Sequence, residues 1–352
     1  MSTLLRSVVI AGAVAAPFAS QAAAPTVSDV LKASGISESG YVDVGFNYNN
    51  RQFNAGAFSY GGANVDSFTL NQVGLMLSST PASGFGATVD ILGGRDAGFI
   101  PSDAGSDIVF KQAYVQYGSG AMTLIGGRFA TLAGSEVIAS TGNSNATRSL
   151  LFAYQPLTHT GVRGAFKAGD MVTLTAGLNN SVFGSTNDGN QQKTGELSVA
   201  LALADGIGVA LTGYKGTEGA PGATNSPTLI DFVGSFQLTK TLGLAVNVDY
   251  VDLDTATNTT VDGFAVYANL AVSDTLRLGA RGEYVKTDDD VAVARKQKEL
   301  TLTAALAAAS NFDVVTDLRF DKDDSFPFVS AYTARPPEDS MATVVVKGIY
   351  KF

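Results

Sequence analysis

The chain has 352 residues, including 39 glycines, one histidine, no cysteine and no tryptophan. Its 23 Lys and Arg stand against 32 Asp and Glu, and the net charge of -9 argues against nucleic-acid binding, which needs a basic surface. The absence of cysteine excludes a disulfide framework and a thiolate metal site.

The first 23 residues have the features of a secretory signal peptide. A short segment containing Arg6 precedes an apolar stretch of small residues over 7–19, and a small-residue cleavage site follows. This stretch is shorter than the about 20 residues of a spanning helix. Residues 24–39 are predicted to be a short periplasmic or lumenal segment, either a helix over 25–35 or a loosely ordered leader.

From residue 40 to the C terminus, apolar residues alternate with polar or small ones. The alternating stretches approach the about 9 to 11 residues that a tilted spanning strand needs. The clearest series are 230–238, 242–250, 276–284 and 312–320. No apolar run of about 18 residues follows the signal segment, so the pattern favours spanning by strands and excludes spanning by helices.

Short connections alternate with longer polar ones along this region. The short connections carry turn residues at 81–84, 118–120, 168–170, 204–206, 239–241, 273–275 and 309–311. The longer stretches are 50–66, 95–107, 129–157, 181–193, 217–227, 253–260, 287–297 and 322–340. This arrangement is typical of short periplasmic turns and longer outer loops. We therefore predict an all-β, transmembrane, antiparallel up-and-down β-barrel of about 16 strands over 40–352, with both termini in the periplasm.

Aromatic residues near strand ends are predicted to form the two interfacial girdles of the barrel. They are Tyr41, Tyr48, Phe85, Tyr117, Tyr250, Tyr284, Tyr350 and Phe352. The chain ends on an alternating strand whose last residue is Phe352, which is how bacterial outer-membrane barrels end. By analogy with those barrels, Tyr350 and Phe352 are predicted to form a signal for the barrel assembly machinery.

Several segments carry a family resemblance. Segments 111–117 and 123–128, joined by a glycine turn, resemble the strand-turn-strand that precedes the constriction loop of general Gram-negative porins. Segment 151–163 (Leu-Phe-Ala-Tyr-Gln-Pro-Leu-Thr-His-Thr-Gly-Val-Arg) is similar more specifically to the putative β-barrel porin-2 family, as are both ends of the barrel region. The resemblance implies an outer-membrane pore and names no solute.

The third outer loop, 129–157, occupies the position at which the resembled porins fold a loop into the barrel and narrow it. Its composition agrees, because Leu132, Val137, Ile138 and the segment 150–152 are too apolar for a freely solvated loop. The alternatives are an external cap or a contact between subunits.

The resemblance implies a constriction with opposed charges, which orient polar solutes and set ion preference in a narrow throat. Arg128 resembles in position the basic cluster of porin constrictions, and Glu136 would face it from the loop. His159, Arg163 and Lys167 share the water-facing phase of the next strand. The alternative is that these residues simply solvate the wall.

Further charged residues are predicted to face the lumen. They are Asp43, Asp90, Asp231, Asp249, Arg277, Arg281, Glu283, Asp313, Asp317 and Arg319. Many are expected to pair across neighbouring strands, so their list does not give selectivity. The net charge by itself mildly favours cations.

The leading prediction is a porin of the bacterial outer membrane, a water-filled channel for passive diffusion of small hydrophilic solutes or ions. Its expected partners are outer-membrane lipid, lipopolysaccharide, the assembly machinery and further copies in a homotrimer. The main alternative is a non-conducting barrel that acts as a receptor, adhesin or envelope structural protein; a soluble secreted β-protein is another. Since a triad or metal site would depend on His159 alone and no motif supports one, we predict no enzyme activity, no catalytic residue, no cofactor and no metal.

Overall fold

The computed structural model describes residues 31–50, 66–100, 105–184, 188, 190–220, 223–292, 294–325 and 338–352. The predicted signal peptide, 1–23, and residues 24–30 of the predicted segment 24–39 lie outside the described residues. Residues 31–33 are helical and lead into the first strand. Within the described ranges, no helix has both the length and the apolar character needed to cross a membrane.

Alternating sequences form long strands here because successive side chains of a strand point to opposite faces. The long strands are β1 (Ser37–Asn49), β2 (Ser67–Ser79), β3 (Gly84–Gly93), β4 (Ile108–Ser119), β5 (Met122–Ala130), β6 (Thr158–Ala168), β7 (Val172–Asn179), β8 (Thr194–Ala204), β9 (Ile207–Lys215), β12 (Thr228–Gln237), β13 (Leu242–Asp252), β14 (Thr260–Ala271), β15 (Leu276–Asp288), β16 (Arg295–Ala309), β17 (Phe312–Asp323) and β18 (Ser340–Lys351). Two short strands, β10 (Glu218–Ala220) and β11 (Ala223–Asn225), form a hairpin between β9 and β12. Short 3-10 helices span Arg95–Phe99, Ser140–Gly142 and Leu151–Tyr154.

The 16 long strands of the described chain form one closed antiparallel barrel. Each long strand pairs with its neighbours in sequence, and β1 pairs with β18 to close the ring. The predicted fold class and strand number are confirmed, with the first strand beginning at Ser37 rather than residue 40. Short connections lie at one end of the barrel, called here the turn end, and longer ones at the other, the loop end. That both termini lie in the periplasm stays a prediction.

The alternation separates an apolar outer face from a polar lumen. On β13, Val248 and Tyr250 are exposed on the outside, whereas Asn247 and Asp249 are buried inside. On β15, Leu278 faces outward and Arg281 is fully buried. This is the arrangement of a transmembrane barrel, because lipid-facing and lumen-facing residues alternate along each strand.

The closing seam places the C-terminal aromatic against a glycine. The backbone groups of Gly40 and Phe352 exchange two hydrogen bonds of 3.0 and 2.9 Å. A Cβ added at Gly40 would lie 2.3 Å from the Phe352 ring, so glycine leaves the space that the ring occupies. Tyr350 and Phe352 are 45% and 65% exposed on the outer face. Their recognition by an assembly machinery stays a prediction.

The girdle prediction is wrong for Tyr41. Its side chain is buried in the lumen, and its hydroxyl donates to Gln72 Oε1 at 2.6 Å. Tyr41 shares the phase of Asp43, which also faces inward, and its ring covers Gly74. Position near a strand end was therefore a weaker guide than the phase of alternation.

Candidate functional site

Residues 131–157, which connect β5 to β6, lie inside the barrel and are called here the lumenal loop. Hydrogen bonds join this loop to inward-facing residues all around the wall. The wall residues are Tyr214 on β9, Asn247 on β13, Arg281 on β15, Asp317 on β17 and Asp43 on β1. The loop therefore crosses the lumen and meets both sides of it.

Apolar packing explains why this segment folds inward. Each of three clusters combines loop residues with inward-facing wall residues or with neighbouring loops: Leu150 and Leu151 with Val182, Leu229 and Val261; Ile138 and Phe152 with Leu92 and Ile100; and Ala146 with Ala305 and Val345. Full burial of one such aliphatic or aromatic side chain contributes roughly 1.5–3 kcal/mol, so these contacts favour the inward position. Of the apolar loop residues singled out in the sequence, Ile138 and residues 150–152 thus pack inside the barrel, whereas Leu132 is half-buried outside these clusters and Val137 is 47% exposed.

Arg281 is the centre of the strongest polar contact between loop and wall. Its Nη1 lies 2.8 Å from Oε1 of the loop residue Glu136, and its Nε lies 3.0 Å from Glu299 and 3.5 Å from Glu283. It also donates to the Thr147 carbonyl at 3.0 Å. The guanidinium is fully buried, so these partners replace its hydration.

Two residues of β17 hold the same part of the loop. Asp317 Oδ2 accepts hydrogen bonds of 2.8 Å from both the backbone N–H and the hydroxyl of Thr147. Arg319 donates from Nη1 to the carbonyl of Arg148 at 2.6 Å and pairs with Asp321. Loop residues 147 and 148 are therefore fixed by β15 and β17 together.

The opposite edge of the loop is fixed by β1 and β2. Ser140 donates from its hydroxyl to Asp43 at 2.5 Å, and Lys347 Nζ lies 3.0 Å from the same carboxylate. Gln72 accepts from the Ser140 N–H and donates to the Ile138 carbonyl, both at 2.9 Å. All four of these side chains are buried.

Where the loop returns to the wall, it meets a pair of carboxyl groups. Asp231 and Asp249 lie directly opposite each other on β12 and β13. Gln155 donates to Asp249 at 2.7 Å, and Asn247 donates to Asp231 at 2.5 Å. Asp249 thus binds the loop directly, whereas Asp231 binds Asn247 of the neighbouring strand.

His159 and Arg163 face the lumen from β6. The His159 ring stacks on Tyr214 with centroids 4.6 Å apart, and its nitrogens lie 3.2 Å from the Ser181 carbonyl and 3.3 Å from the Thr131 hydroxyl. Arg163 pairs with Glu196 at 2.7 Å.

Beyond the strands, the β10–β11 hairpin contacts the loop that follows β7. The carboxylate of Glu218 accepts from the Val182 N–H at 2.7 Å and from the Thr194 hydroxyl at 3.4 Å. Burial raises the pKa of Glu218 from its ordinary value. Val182 is fully buried, so this contact covers the His159 side of the lumen at the loop end.

Three constriction candidates are not brought together. The expected pairing of Glu136 with Arg128 is wrong, because Glu136 binds Arg281. Arg128 lies in the phase of the outward-facing Leu124, and its Nη2 lies 3.3 Å from the Thr158 hydroxyl. Lys167 lies at the turn end, 62% exposed, 3.8 Å from Asp170.

The remaining predicted lumenal charges also have partners in the described chain. Asp90 pairs with Lys111 at 2.9 Å, and Asp313 pairs with Lys351 at 2.7 Å. Arg277 is held by neutral acceptors.

Several residues of the site were missed in the sequence. They are Arg148, Glu196, Tyr214, Glu299, Asp321 and Lys347, all buried in the lumen. Five lie on strands in the inward phase and were detectable by alternation alone. Arg148 lies on the loop, where no periodicity exists to identify it.

Between the lumenal loop and the turn end, the lumen opens into cavities, together called here the turn-side vestibule. A cavity of about 280 Å³ lies between the underside of the loop and β14 to β18, and its lining includes Thr141, Asp313 and Lys347. A second of about 680 Å³ lies between Ser144 and strands β8 to β14. Arg277 lines both.

Comparison with known proteins agrees with this geometry. The family described as "Putative beta-barrel porin-2, OmpL-like" matches residues 35–352. No curated protein matches the sequence significantly.

Many solved outer-membrane barrels share the fold. OprB of Pseudomonas putida is similar at 12% identity and a TM-score of 0.64, covering 92% of this chain and 96% of that chain. OmpT of Vibrio cholerae in its trimer form reaches 13% and 0.63, with 90% and 99% covered. An anion-selective porin from Comamonas acidovorans reaches 13% and 0.62, also with 90% and 99% covered. At these identities the likeness shows the fold alone.

Proposed function

The chain belongs to the putative β-barrel porin-2, OmpL-like family, and on that basis we propose that it forms a water-filled channel for passive diffusion of small hydrophilic solutes or ions. The protein is an outer-membrane β-barrel with a porin-like fold. The single observation that carries the proposal is the turn-side vestibule beneath a loop that lies in the lumen. A barrel of 16 strands is wide enough to leave an aqueous interior.

The packing of the loop supports a narrow channel. Three apolar clusters and the buried ion pairs of Arg281 occupy lumen that water fills in an open barrel. We therefore expect a small single-channel conductance compared with that of a porin whose loop covers only part of the lumen.

The second candidate is a non-conducting barrel that presents its loops to partners or supports the envelope. The same packing favours it, because contacts around the whole wall would also serve a plug. Single-channel recording of folded protein in a planar bilayer under a salt gradient separates the two functions. Discrete open steps are expected for the channel, and silence from protein shown to be folded would establish the plugged barrel instead.

The family and fold point to a channel rather than an enzyme. The contacts of His159 support this proposal, because its ring nitrogens face a backbone carbonyl and a threonine hydroxyl rather than a carboxylate and a nucleophile.

We also propose that the protein assembles as a homotrimer. The trimer form of OmpT from Vibrio cholerae, which shares the fold, supports this proposal. Light scattering of the detergent complex, corrected for bound detergent, is expected to give three chains. A single chain would contradict the proposal and leave the channel proposal intact.

A further inference from the structure

Arg277 lies where the two cavities of the turn-side vestibule meet. It projects from β15 into the lumen. Arg281, which has the same phase, follows four residues later on this strand. Arg277 lines both the cavity of about 280 Å³ and the cavity of about 680 Å³. Its side chain therefore borders both spaces.

One edge of the Arg277 guanidinium is fixed and the other is open. Its Nη1 donates to the carbonyl of loop residue Ser144 at 2.9 Å and to Asn269 Oδ1 at 3.0 Å. Across the described residues, no hydrogen bond leaves Nε or Nη2. Two anchors on one nitrogen hold the planar group in place while the edge formed by the other nitrogens remains available.

The partners of Arg277 are neutral, unlike those of the cations nearby. Arg281, Arg319, Arg163 and Lys347 each have a carboxylate oxygen within 3.0 Å. In the part of the chain that the structure describes, no carboxylate lies within 4.0 Å of Arg277.

Asp313, which lines the smaller cavity, and Asp317, four residues further along β17, are committed elsewhere. Asp313 binds Lys351 at 2.7 Å, and Asp317 accepts from Thr147 and from Thr303 at 2.8 and 2.6 Å. The positive charge of Arg277 is therefore not neutralised by direct contact.

From this geometry we infer that Arg277 forms a binding site inside the barrel for small solutes that carry an oxyanion, namely carboxylates or phosphates. The inference rests on the proposed channel function, for which it names the solute class. A guanidinium presents a rigid fork that matches carboxylate and phosphate oxygens in a bidentate manner. Thr141 and Thr275 also line the smaller cavity, and a threonine hydroxyl can donate a hydrogen bond to such a solute.

The test uses folded, detergent-solubilised protein and two probes, glutarate and inorganic phosphate. Titration calorimetry at low salt is expected to show saturable binding of at least one probe, and the probe that binds identifies the class. Arg277→Gln is expected to weaken binding about tenfold or more, because it removes a charge-assisted bidentate contact. Arg277→Lys keeps the charge without the fork and is expected to retain an intermediate affinity.

Lys240→Gln is the matched control. Lys240 lines the larger cavity at the turn end, so its replacement removes the same charge without altering the fork. This substitution is expected to change the affinity for the probe by less than about threefold, since solvent and salt screen the interaction of an exposed charge. All variants are first shown to be folded by heat-modifiable migration on gels.

The outcomes separate this inference from the channel proposal. Absence of saturable binding, or equal affinity in wild type and Arg277→Gln, would overturn the proposed binding site. Channel conductance together with binding that does not depend on Arg277 would overturn the binding site alone. Absence of conductance in the bilayer, together with binding that depends on Arg277, would overturn the channel proposal and leave the binding site in place.

Discussion

Arg277 and Arg281 lie at two levels of the same lumen and differ in their surroundings. Both project inward from β15, yet Arg281 is fully buried between Glu136, Glu283 and Glu299. Arg277 lies four residues closer to the turn end. It donates to a backbone carbonyl and to a side-chain amide oxygen, and it lines two cavities. An inward charge is therefore structural where carboxylates of the loop and wall surround it, and it is available to solutes where only one edge is bound.

The same comparison qualifies the cation preference expected from net charge. The buried carboxylates beside Arg281, Arg319, Arg163 and Lys347 form ion pairs with these residues, so they are not free to bind a solute cation. A solute in the vestibule meets the unpaired groups and not the sum over the chain. The net charge of -9 therefore does not decide the ion preference of the lumen.

The largest effect is expected for Arg281→Gln. This change leaves Glu136, Glu283 and Glu299 buried without their cation, and loss of one partner of a buried ion pair costs about 3–5 kcal/mol. The urea concentration at which folded barrel is lost is expected to fall clearly. Arg277→Gln is the matched control and is expected to unfold near the wild-type concentration. Equal sensitivity of the two variants would remove the distinction between the two levels.

Asp317→Ala is expected to loosen the loop with a smaller loss of stability. It removes the acceptor of three hydrogen bonds, which come from the Thr147 N–H, the Thr147 hydroxyl and the Thr303 hydroxyl. The free energy of unfolding is expected to fall by about 2–3 kcal/mol. Hydrogen exchange of residues 145–149 is expected to speed up. Asp313→Ala, which breaks a half-exposed pair with Lys351, is the control and should leave that exchange unchanged.

At the closing seam, Phe352→Ala is expected to act chiefly on assembly. The substitution uncovers Gly40, and loss of this cross-strand contact costs about 0.2–1 kcal/mol, because aromatic cover compensates a strand glycine. The amount of heat-modifiable barrel in the outer membrane is expected to drop more than the stability of refolded protein. Phe85→Ala, at an aromatic residue 82% exposed on the same outer face, serves for comparison. An equal drop in both variants would argue against a special role for the terminus.

The smallest effect is expected for Lys167→Gln. The side chain is 62% exposed at the turn end, and its contact with Asp170 is a surface pair at 3.8 Å. Stability and reversal potential are expected to match those of the wild type. A changed reversal potential would restore Lys167 to the selectivity site.

The alternation of the sequence predicted the barrel well, because its cause is local. Inward and outward positions follow from a period of two residues, and turn residues mark the short connections. The same rule, applied to Tyr41, would have corrected its assignment to the girdle, and applied to Glu299 and Lys347 it would have added them to the lumen.

The partners within the lumen followed no such rule. Glu136 and Arg281 are 145 residues apart, and their contact depends on the path of a loop that has no periodicity. The expected pairing of Glu136 with Arg128 came from the resemblance of their positions to a porin constriction, and it failed because β5 directs Arg128 into the outward phase.

Strand alternation and turn chemistry act over a few residues, so the amino-acid sequence alone was enough to predict a transmembrane barrel of about 16 strands with charged residues inside. Which of those charges are buried in ion pairs and which face a cavity depends on the folded arrangement of the loop. Apolar packing draws the lumenal loop across the barrel and buries Arg281 with its carboxylates, whereas within the described residues the loop hydrogen-bonds Arg277 only through the Ser144 carbonyl. That choice depends on contacts between residues far apart in the chain, which no local pattern records.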